Sequence, residues 1–156
     1  MTEPGLFEQV HIAKAIATIA HRGQFDKGGE PYIGHPQRIV DSFDGTSDSA
    51  RLKVIAWLHD VLEDTDLTRD DLHDAGIGWS QIVDVERLTK IKGEPNEDYY
   101  RRVRESGPAR LVKLADIADN TQPGRLAKLD DETVGRLIRK YAKAQMWLNF
   151  AESTAA

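Results

Sequence analysis

Apolar residues recur at intervals of three and four along most of the chain, the spacing of one face of an α-helix. Glycine and proline separate these stretches, and residues 24–34 form a loop. No segment shows the alternation of a half-buried strand. The pattern predicts an all-α fold, a compact single-domain helical architecture over residues 1–156. The predicted helices cover about residues 6–23, 35–43, 48–64, 68–76, 79–92, 96–106, 108–120 and 130–151.

The last predicted helix has the clearest apolar stripe. Its inward positions are predicted to be Val134, Leu137, Ile138, Tyr141, Ala144 and Leu148. A stripe of this kind predicts a helix packed along one side of a core rather than one surrounded by it.

Composition narrows the classes of partner and site. The chain has 21 Lys and Arg against 26 Asp and Glu, a net charge of −5. That balance argues against a binder of nucleic acid polymers, which usually presents a basic face. It does not exclude a small anionic substrate, because a local basic pocket or a metal can overrule net charge. The chain has no cysteine, so any metal would be bound by His, Asp or Glu.

The location of the protein is predicted from what its sequence lacks. The N-terminal MTEPGLFEQV has no basic segment followed by an apolar core, as a signal peptide would. No apolar run approaches the roughly 20 residues that span a bilayer. We therefore expect a cytoplasmic protein without membrane contact. Exposed apolar surface could support a homodimer, and the sequence leaves this open.

A cluster of charge follows the most apolar part of the chain, in WLHDVLEDTD. The run Val54–Leu58 leads into His59 and four carboxylates. His59 and Glu63 are four residues apart and share a helix face, as do Asp60 and Asp64. Like charges at this spacing, near the negative end of a helix, cost a few tenths of a kcal/mol per pair when exposed and more when buried. Two interpretations remain, a solvated helix end or carboxylates gathered around a cation.

A second acidic residue lies in an apolar helix. Asp116, within LVKLADIADN, needs a partner if it is buried. Lys113, three residues earlier, is one candidate. The alternative joins His35, His59, Asp60 and Asp116 around one divalent metal. Two nitrogen and two oxygen donors favour Mn²⁺, Fe²⁺ or Zn²⁺ over Ca²⁺ or Mg²⁺.

These residues follow the H…HD…D pattern and resemble the HD superfamily of metal-dependent phosphohydrolases. Four segments, AHRGQ (20–24), GEPYIGHP (29–36), LHDVLEDT (58–65) and KLAD (113–116), carry a closer likeness. In this order they resemble the hydrolase domain of RelA/SpoT proteins and the stand-alone small alarmone hydrolases. The resemblance implies a helical fold, a single Mn²⁺, and removal of pyrophosphate from the 3′ position of ppGpp or pppGpp.

The resemblance also implies roles for individual residues. The implied metal ligands are His35, His59, Asp60 and Asp116. Glu63 and Asp64 match the acidic pair that positions and activates the attacking water. In such a site a metal lowers the pKa of water and polarises phosphate oxygens, while a carboxylate accepts the proton. His21, in the first motif, is expected to order the loop rather than to bind metal.

The chain departs from the family pattern at basic positions near the site. Asp26 stands where arginine is common, and Ile117 and Gln122 replace the arginines that follow the last ligand. Arginine is the residue that usually binds phosphate, because its planar guanidinium group can donate two hydrogen bonds to it. The remaining candidate substrate contacts are Arg22, Lys27, Asn120 and Tyr141. Other nucleotide phosphates, such as nucleoside 5′-phosphates or the 2′-phosphate of NADPH, therefore stay open as substrates, as does a non-catalytic nucleotide-sensing role.

Overall fold

The computed structural model describes residues 2–149, and every regular element in this range is helical. The helices are α1 Leu6–Ala20, α2 Gly34–Asp41, α3 Ser49–Leu58, α4 Val61–Asp64, α5 Arg69–Asp74, α6 Trp79–Leu88, α7 Asn96–Arg104, α8 Gly107–Asn120, α9 Pro123–Leu126 and α10 Asp131–Asn149. One isolated antiparallel bridge joins Phe25 and Pro31 within the loop after α1. The all-α prediction is confirmed. The single-domain extent and the homodimer remain predictions.

Helix α3 is the centre of the fold. It packs against α1, α2, α6 and α8, and all five residues of Val54–Leu58 are buried. The run has no polar face because neighbours surround it, so its sequence shows little amphipathic periodicity. The C-terminal end of α3 therefore lies inside the protein, and whatever follows Leu58 starts from a buried position.

The predicted helix over residues 48–64 is wrong as a single element. The structure breaks it between α3 and α4, at His59 and Asp60. The Nδ1 atom of His59 lies 2.7 Å from the carbonyl oxygen of Ala56, and side-chain bonds to the backbone of this kind compete with helical pairing. The break brings Asp60 Oδ2 within 3.1 Å of His59 Nε2. Adjacent residues of a continuous helix do not face each other in this way.

Other differences lie toward the C-terminal end. Pro123, predicted only to end a helix, also begins the single turn α9. Ile138, predicted to face inward, is 51% exposed, because α10 packs on α7 and α8 along one side and Leu137 occupies that side. The predicted end of the last helix, at Ala151, lies outside the described residues. No helix in the described range is long and apolar enough to cross a membrane.

Candidate active site

Three helix ends bring the four predicted metal ligands together. His35 lies in the first turn of α2, while His59 and Asp60 form the break after α3. One ligand atom from each of these three residues lies within 4.8 Å of the others, and together they could hold a metal ion. Asp116, in α8, places Oδ1 2.8 Å from His35 Nε2 and 3.7 Å from His59 Nε2. Residues more than 80 positions apart in sequence therefore meet at one point.

The protonation of His59 follows from its contacts. A backbone carbonyl only accepts hydrogen bonds, so Nδ1 carries the proton shared with Ala56, and Nε2 of the neutral ring has a lone pair. That Nε2 is buried and has no hydrogen-bond partner in the described part of the chain. It faces the carboxylates of Asp60 and Asp116. A buried lone pair directed at anions calls for a cation between them.

The electrostatics of the histidine agree with this. Burial works against a charge on His59, but the carboxylates of Asp60 and Asp116 outweigh it and raise the pKa of the imidazole well above its ordinary value. In the absence of any other cation, a proton would be drawn to Nε2. A divalent ion in the same position would satisfy both carboxylates and the ring nitrogen.

Both carboxylates are held as anions. Burial opposes ionisation of Asp60, but His59 and the Tyr32 hydroxyl, which donates to Asp60, bring its pKa to about 2. Burial also opposes ionisation of Asp116, and Lys113 with the two histidines lowers its pKa well below the ordinary range. Carboxylates must be deprotonated to bind metal, so both are in the required state at neutral pH.

Lys113 does partner Asp116, and this does not remove the carboxylate from the site. Its Nζ lies 2.7 Å from Oδ2 of Asp116, while the other oxygen, Oδ1, faces the two histidines. Asn120 Nδ2 donates to the same Oδ1 at 3.0 Å. The two interpretations of Asp116 are therefore compatible: the lysine orients the carboxylate and one oxygen remains directed at the ligand set. Two nitrogens and two oxygens form a donor set that suits Mn²⁺, Fe²⁺ or Zn²⁺.

The predicted acidic pair lies on α4, directly after the ligands. Glu63 lines the adjoining cavity, and its Oε1 accepts the backbone N–H of Lys90 at 2.8 Å. Asp64 is exposed and is not among the residues that line the cavity. Desolvation together with the charges of Asp60 and Glu63 raises its pKa to about 6. A carboxylate with a pKa near neutrality is a better proton acceptor than an ordinary one.

A cavity of about 420 Å³ opens beside the ligands. Three of the predicted substrate contacts, Lys27, Asn120 and Tyr141, line it, and Asn120 Nδ2 lies 3.3 Å from the Tyr141 hydroxyl. The fourth, Arg22, is exposed in the turn after α1 and is not among the lining residues. In the described chain the basic lining residues are Lys27, Arg38, Lys90, Lys113, Arg125, Lys128 and Lys140.

Most of these basic residues were not predicted from the sequence. Burial and the neighbouring charges of Lys113, Lys90 and Lys27 lower the pKa of Lys140, which shows how closely the cations are gathered. In the described residues the cavity is lined by seven basic side chains and by five acidic ones, Asp26, Glu30, Asp60, Glu63 and Asp116, so basic residues outnumber acidic ones in an acidic protein. The basic lining residues come from separate helices and loops, and in sequence each resembles an ordinary solvated lysine or arginine. Only Lys140, next to Tyr141, adjoins a predicted contact.

The structure gives physical roles to residues that depart from the family pattern. Asp26 Oδ2 lies 3.2 Å from Arg125 Nη2, while its Oδ1 accepts the backbone N–H groups of Gly28 and Glu30. Asp26 thus shapes the loop and anchors an arginine at the cavity wall. Ile117 is fully buried in the core, so its side chain packs rather than facing the cavity.

His21 makes the contacts expected of a residue that orders the loop. It is buried, and its Nδ1 lies 2.9 Å from Gln24 Oε1. Its ring centroid lies 4.7 Å from that of Tyr32, the residue whose hydroxyl donates to Asp60. His21 therefore supports a ligand through Tyr32 and is not itself in the ligand group.

Comparison with known proteins gives a consistent result. No family model matches the chain. A guanosine-3′,5′-bis(diphosphate) 3′-pyrophosphohydrolase of Vibrio cholerae is 39% identical over 131 residues, 77% of this chain and 18% of that protein. The mouse guanosine-3′,5′-bis(diphosphate) 3′-pyrophosphohydrolase MESH1 is 38% identical over 118 residues, 69% of this chain and 65% of the mouse protein. Two Streptomyces relatives at 30% and 31% identity are named GTP pyrophosphokinase.

The fold is shared with a solved structure of a metazoan SpoT ortholog described as hydrolysing ppGpp, at a TM-score of 0.74 and 24% identity. The match covers 98% of this chain and 91% of that one. The chain spans less than a fifth of the Vibrio relative's length. Over the part that it covers, the chain is similar to the hydrolases of the RelA/SpoT type.

Proposed function

We propose that the chain is a metal-dependent phosphohydrolase that removes pyrophosphate from the 3′ position of ppGpp or pppGpp, leaving GDP or GTP. The observation that carries the proposal is the meeting of four ligand side chains at the edge of a basic cavity. The ligands would hold a cation and the cavity would hold a polyanion. Its metal would be a single Mn²⁺, bound by His35, His59, Asp60 and Asp116.

The cation would supply Lewis acidity, lowering the pKa of a water molecule and polarising the phosphate oxygens. The protein's own residues would do the rest. Glu63, which lines the cavity, and Asp64, which follows it on α4, would hold the attacking water and accept its proton. Lys113 and Tyr32, hydrogen-bonded to Asp116 and Asp60, would keep those carboxylates oriented.

The basic cavity supports a highly charged nucleotide despite the replaced arginines. Seven basic side chains line it in the described residues, and four of them pair with carboxylates of the protein: Arg38, Lys113, Arg125 and Lys128. Lys27, Lys90 and Lys140 would then supply charge to the phosphates without arginines at positions 26, 117 and 122. Lysine acts as a point charge, whereas arginine forms a planar fork. We therefore infer that the phosphates would be held mainly by charge, with Lys27, Asn120 and Tyr141 as contacts. Arg22 is not among the described lining residues, so it would contact the substrate only if its side chain extended into the cavity.

The alternative substrates keep the same metal site. A nucleoside 5′-phosphate or the 2′-phosphate of NADPH carries less charge than ppGpp and would use fewer of the lysines. A cavity that binds phosphates mainly through lysines discriminates less by geometry than one that binds them through bidentate arginines. That is the reason to include these nucleotides in the test.

The test is hydrolysis of ppGpp by purified, metal-stripped protein with and without Mn²⁺, with products separated by ion exchange. The expected result is GDP and pyrophosphate in equal amounts only when metal is added. The same assay is run with GDP, GTP and NADPH. Faster turnover of one of these would replace the alarmone as substrate and leave the metal site unchanged.

Binding without turnover would distinguish the sensing alternative. If the protein binds Mn²⁺ and ppGpp at equilibrium but releases no product, the hydrolase proposal is wrong and a sensing module remains.

Lys53→Gln is a matched control for loss of one positive charge, because Lys53 pairs with Asp44 at 2.5 Å and is not a lining residue. Lys140→Gln, inside the cavity, should raise the KM for ppGpp while Lys53→Gln leaves it unchanged.

A further inference from the structure

One carboxylate next to the ligand group has no role in the proposed chemistry. Asp119, in the last turn of α8, is 4% exposed. Its Oδ2 lies 2.6 Å from Nδ1 of His35 and 2.7 Å from Nη1 of Arg125. Arg38 donates from Nε to Oδ1 at 2.7 Å and from Nη2 to Oδ2 at 3.1 Å. Three side chains from two helices, α2 and α9, therefore converge on a single buried anion.

We propose that Asp119 is a positioning residue for metal binding, which fixes the tautomer and direction of the His35 ring. The proposal rests on the metal site of the proposed function, and it assigns a role to a residue outside the four ligands. An ionised carboxylate only accepts hydrogen bonds, so the proton between Asp119 and His35 belongs to Nδ1. Without a cation, Nε2 donates to Asp116 Oδ1 at 2.8 Å. With a cation at this position, Nε2 of the neutral ring would direct its lone pair to the ion.

The two histidines reach the same state by different means. His59 donates its Nδ1 proton to the neutral carbonyl of Ala56, and His35 donates to a charged carboxylate. A carboxylate partner makes the opposite ring nitrogen more basic than a neutral acceptor does. His35 therefore has the charged partner of the pair, and both histidines direct Nε2 toward Asp116 Oδ1.

The two arginines fit this role. A bare carboxylate buried beside Asp116 would add negative charge to an already acidic group. Arg38 and Arg125 neutralise Asp119 from its two sides, so the carboxylate can orient His35 without adding uncompensated charge. Arg125 is itself held by Asp26 in the loop. The residue that departs from the family pattern at position 26 thus connects to His35 through Arg125 and Asp119.

A purely structural role makes a different prediction. Asp119 also ties α2 and α9 to α8 through the two arginines, and ion pairs of this kind can stabilise a fold without affecting a ligand. If that were the whole role, replacing Asp119 would lower the free energy of unfolding and leave metal affinity unchanged. A positioning role requires that affinity falls in protein that remains folded.

The first experiment compares Mn²⁺ affinity in Asp119→Asn and in the control Asp84→Asn by equilibrium dialysis. Asp84 is also a buried aspartate, 7% exposed, and its Oδ1 accepts a hydrogen bond from Ser106 Oγ at 2.6 Å. It is not among the residues that line the cavity. We expect Kd for Mn²⁺ to rise about 10- to 100-fold in Asp119→Asn and to stay within twofold in Asp84→Asn. Equal affinity in Asp119→Asn and wild type would overturn the proposal.

The second measurement needs no variant and decides the matter if Asp119→Asn does not fold. Long-range ¹H–¹⁵N correlation spectra of the Zn²⁺-loaded wild-type protein report the tautomer of each histidine. We expect His35 to carry its proton on Nδ1, and a proton on Nε2 would overturn the proposal. A wild-type protein that binds neither Mn²⁺ nor Zn²⁺ would overturn the proposed function as well, so the two failures are distinguishable.

Discussion

Two regions of the protein bury polar side chains, and they do so in opposite ways. The glutamine cluster consists of Gln9 and Gln81 with the backbone of Pro4 and Gly78. Gln9 Nε2 donates to the Pro4 carbonyl at 2.8 Å, and its Oε1 accepts from Gly78 N–H at 2.9 Å and from Gln81 Nε2 at 2.8 Å. Donors match acceptors and no group carries a charge. This cluster joins the N-terminal segment and α1 to the start of α6.

The histidine cluster, made of His35, His59, Asp60 and Asp116, does not balance in this way. It contains two anions, and Nε2 of His59 is buried without a hydrogen-bond partner among the described residues. Burying polar groups costs little when they pair and much when they do not. The comparison teaches that burial of polar residues does not by itself indicate function. An imbalance of charge and hydrogen bonds does indicate function, because it specifies the kind of group, here a cation, that would balance the site.

The largest expected effect comes from removing an anion of the histidine cluster. Asp60→Ala should abolish tight Mn²⁺ binding and lower kcat/KM by at least about 10³-fold, because the metal contributes several kcal/mol to the transition state. Metal content after dialysis and steady-state kinetics measure both losses. A variant that keeps its metal would contradict the interpretation of this cluster.

The next largest effect separates chemistry from binding. Glu63→Gln should keep the Mn²⁺ stoichiometry and lower kcat about 10²- to 10⁴-fold, the usual contribution of a proton acceptor. The amide can still accept the N–H of Lys90 through its oxygen, so the local structure is expected to remain. Kinetics and metal analysis on the same preparation make the comparison. Full turnover in this variant would remove Glu63 from the proposed mechanism.

The glutamine cluster supplies the converse case. Gln9→Leu would leave the Gly78 N–H, the Gln81 amide and the Pro4 carbonyl without their partner. Each buried unsatisfied group costs roughly 1–3 kcal/mol, so for three such groups we expect the free energy of unfolding to fall by about 3 kcal/mol or more in urea titrations. Metal affinity and kcat/KM of the folded protein should not change. A loss of metal affinity would mean that the two clusters are coupled.

The sequence predicted the members of the histidine cluster better than its geometry. His59, Asp60 and Asp116 follow or interrupt apolar runs, so their place beside the core could be expected from local pattern. His35 lies at a helix start after a loop, and its role, like those of the others, could be expected from the family resemblance. The break at His59 could not, because it depends on competition between a side chain and the helix for the Ala56 carbonyl. That competition is decided by three-dimensional packing around α3 and leaves helical periodicity unaltered.

The basic wall of the cavity shows the same limit. Residues such as Arg38, Lys90 and Arg125 lie in different elements and meet only in the folded chain. In sequence, a lysine that faces a cavity cannot be told from one that faces solvent, because both follow polar positions of a helix or loop. The glutamine cluster was also not predicted, since Gln9 and Gln81 pair across 72 positions.

The smallest expected effect concerns a charged pair at the protein's edge. Glu94 accepts from Arg102 Nη2 at 2.8 Å and Nε at 3.2 Å, and Arg102 also donates to the carbonyls of Glu86, Arg87 and Thr89. The hydrogen bonds from Arg102 hold the pKa of Glu94 below its ordinary value. A lowered folded-state pKa contributes stability above the unfolded-state pKa, and this contribution is lost as pH falls through the folded-state value.

Glu94→Gln should therefore lower the free energy of unfolding by about 0.5–1 kcal/mol at pH 7, and the difference from wild type should vanish in acid. Urea titrations at pH 7 and at about pH 3, below the ordinary pKa of glutamate, measure it. Metal binding should be unaffected, because Glu94 does not line the cavity. A difference that widens in acid would contradict the sign of the pKa shift. The small size follows from the comparison: water can reach this pair, so a lost partner is partly replaced, whereas in the histidine cluster only a cation can balance the charge.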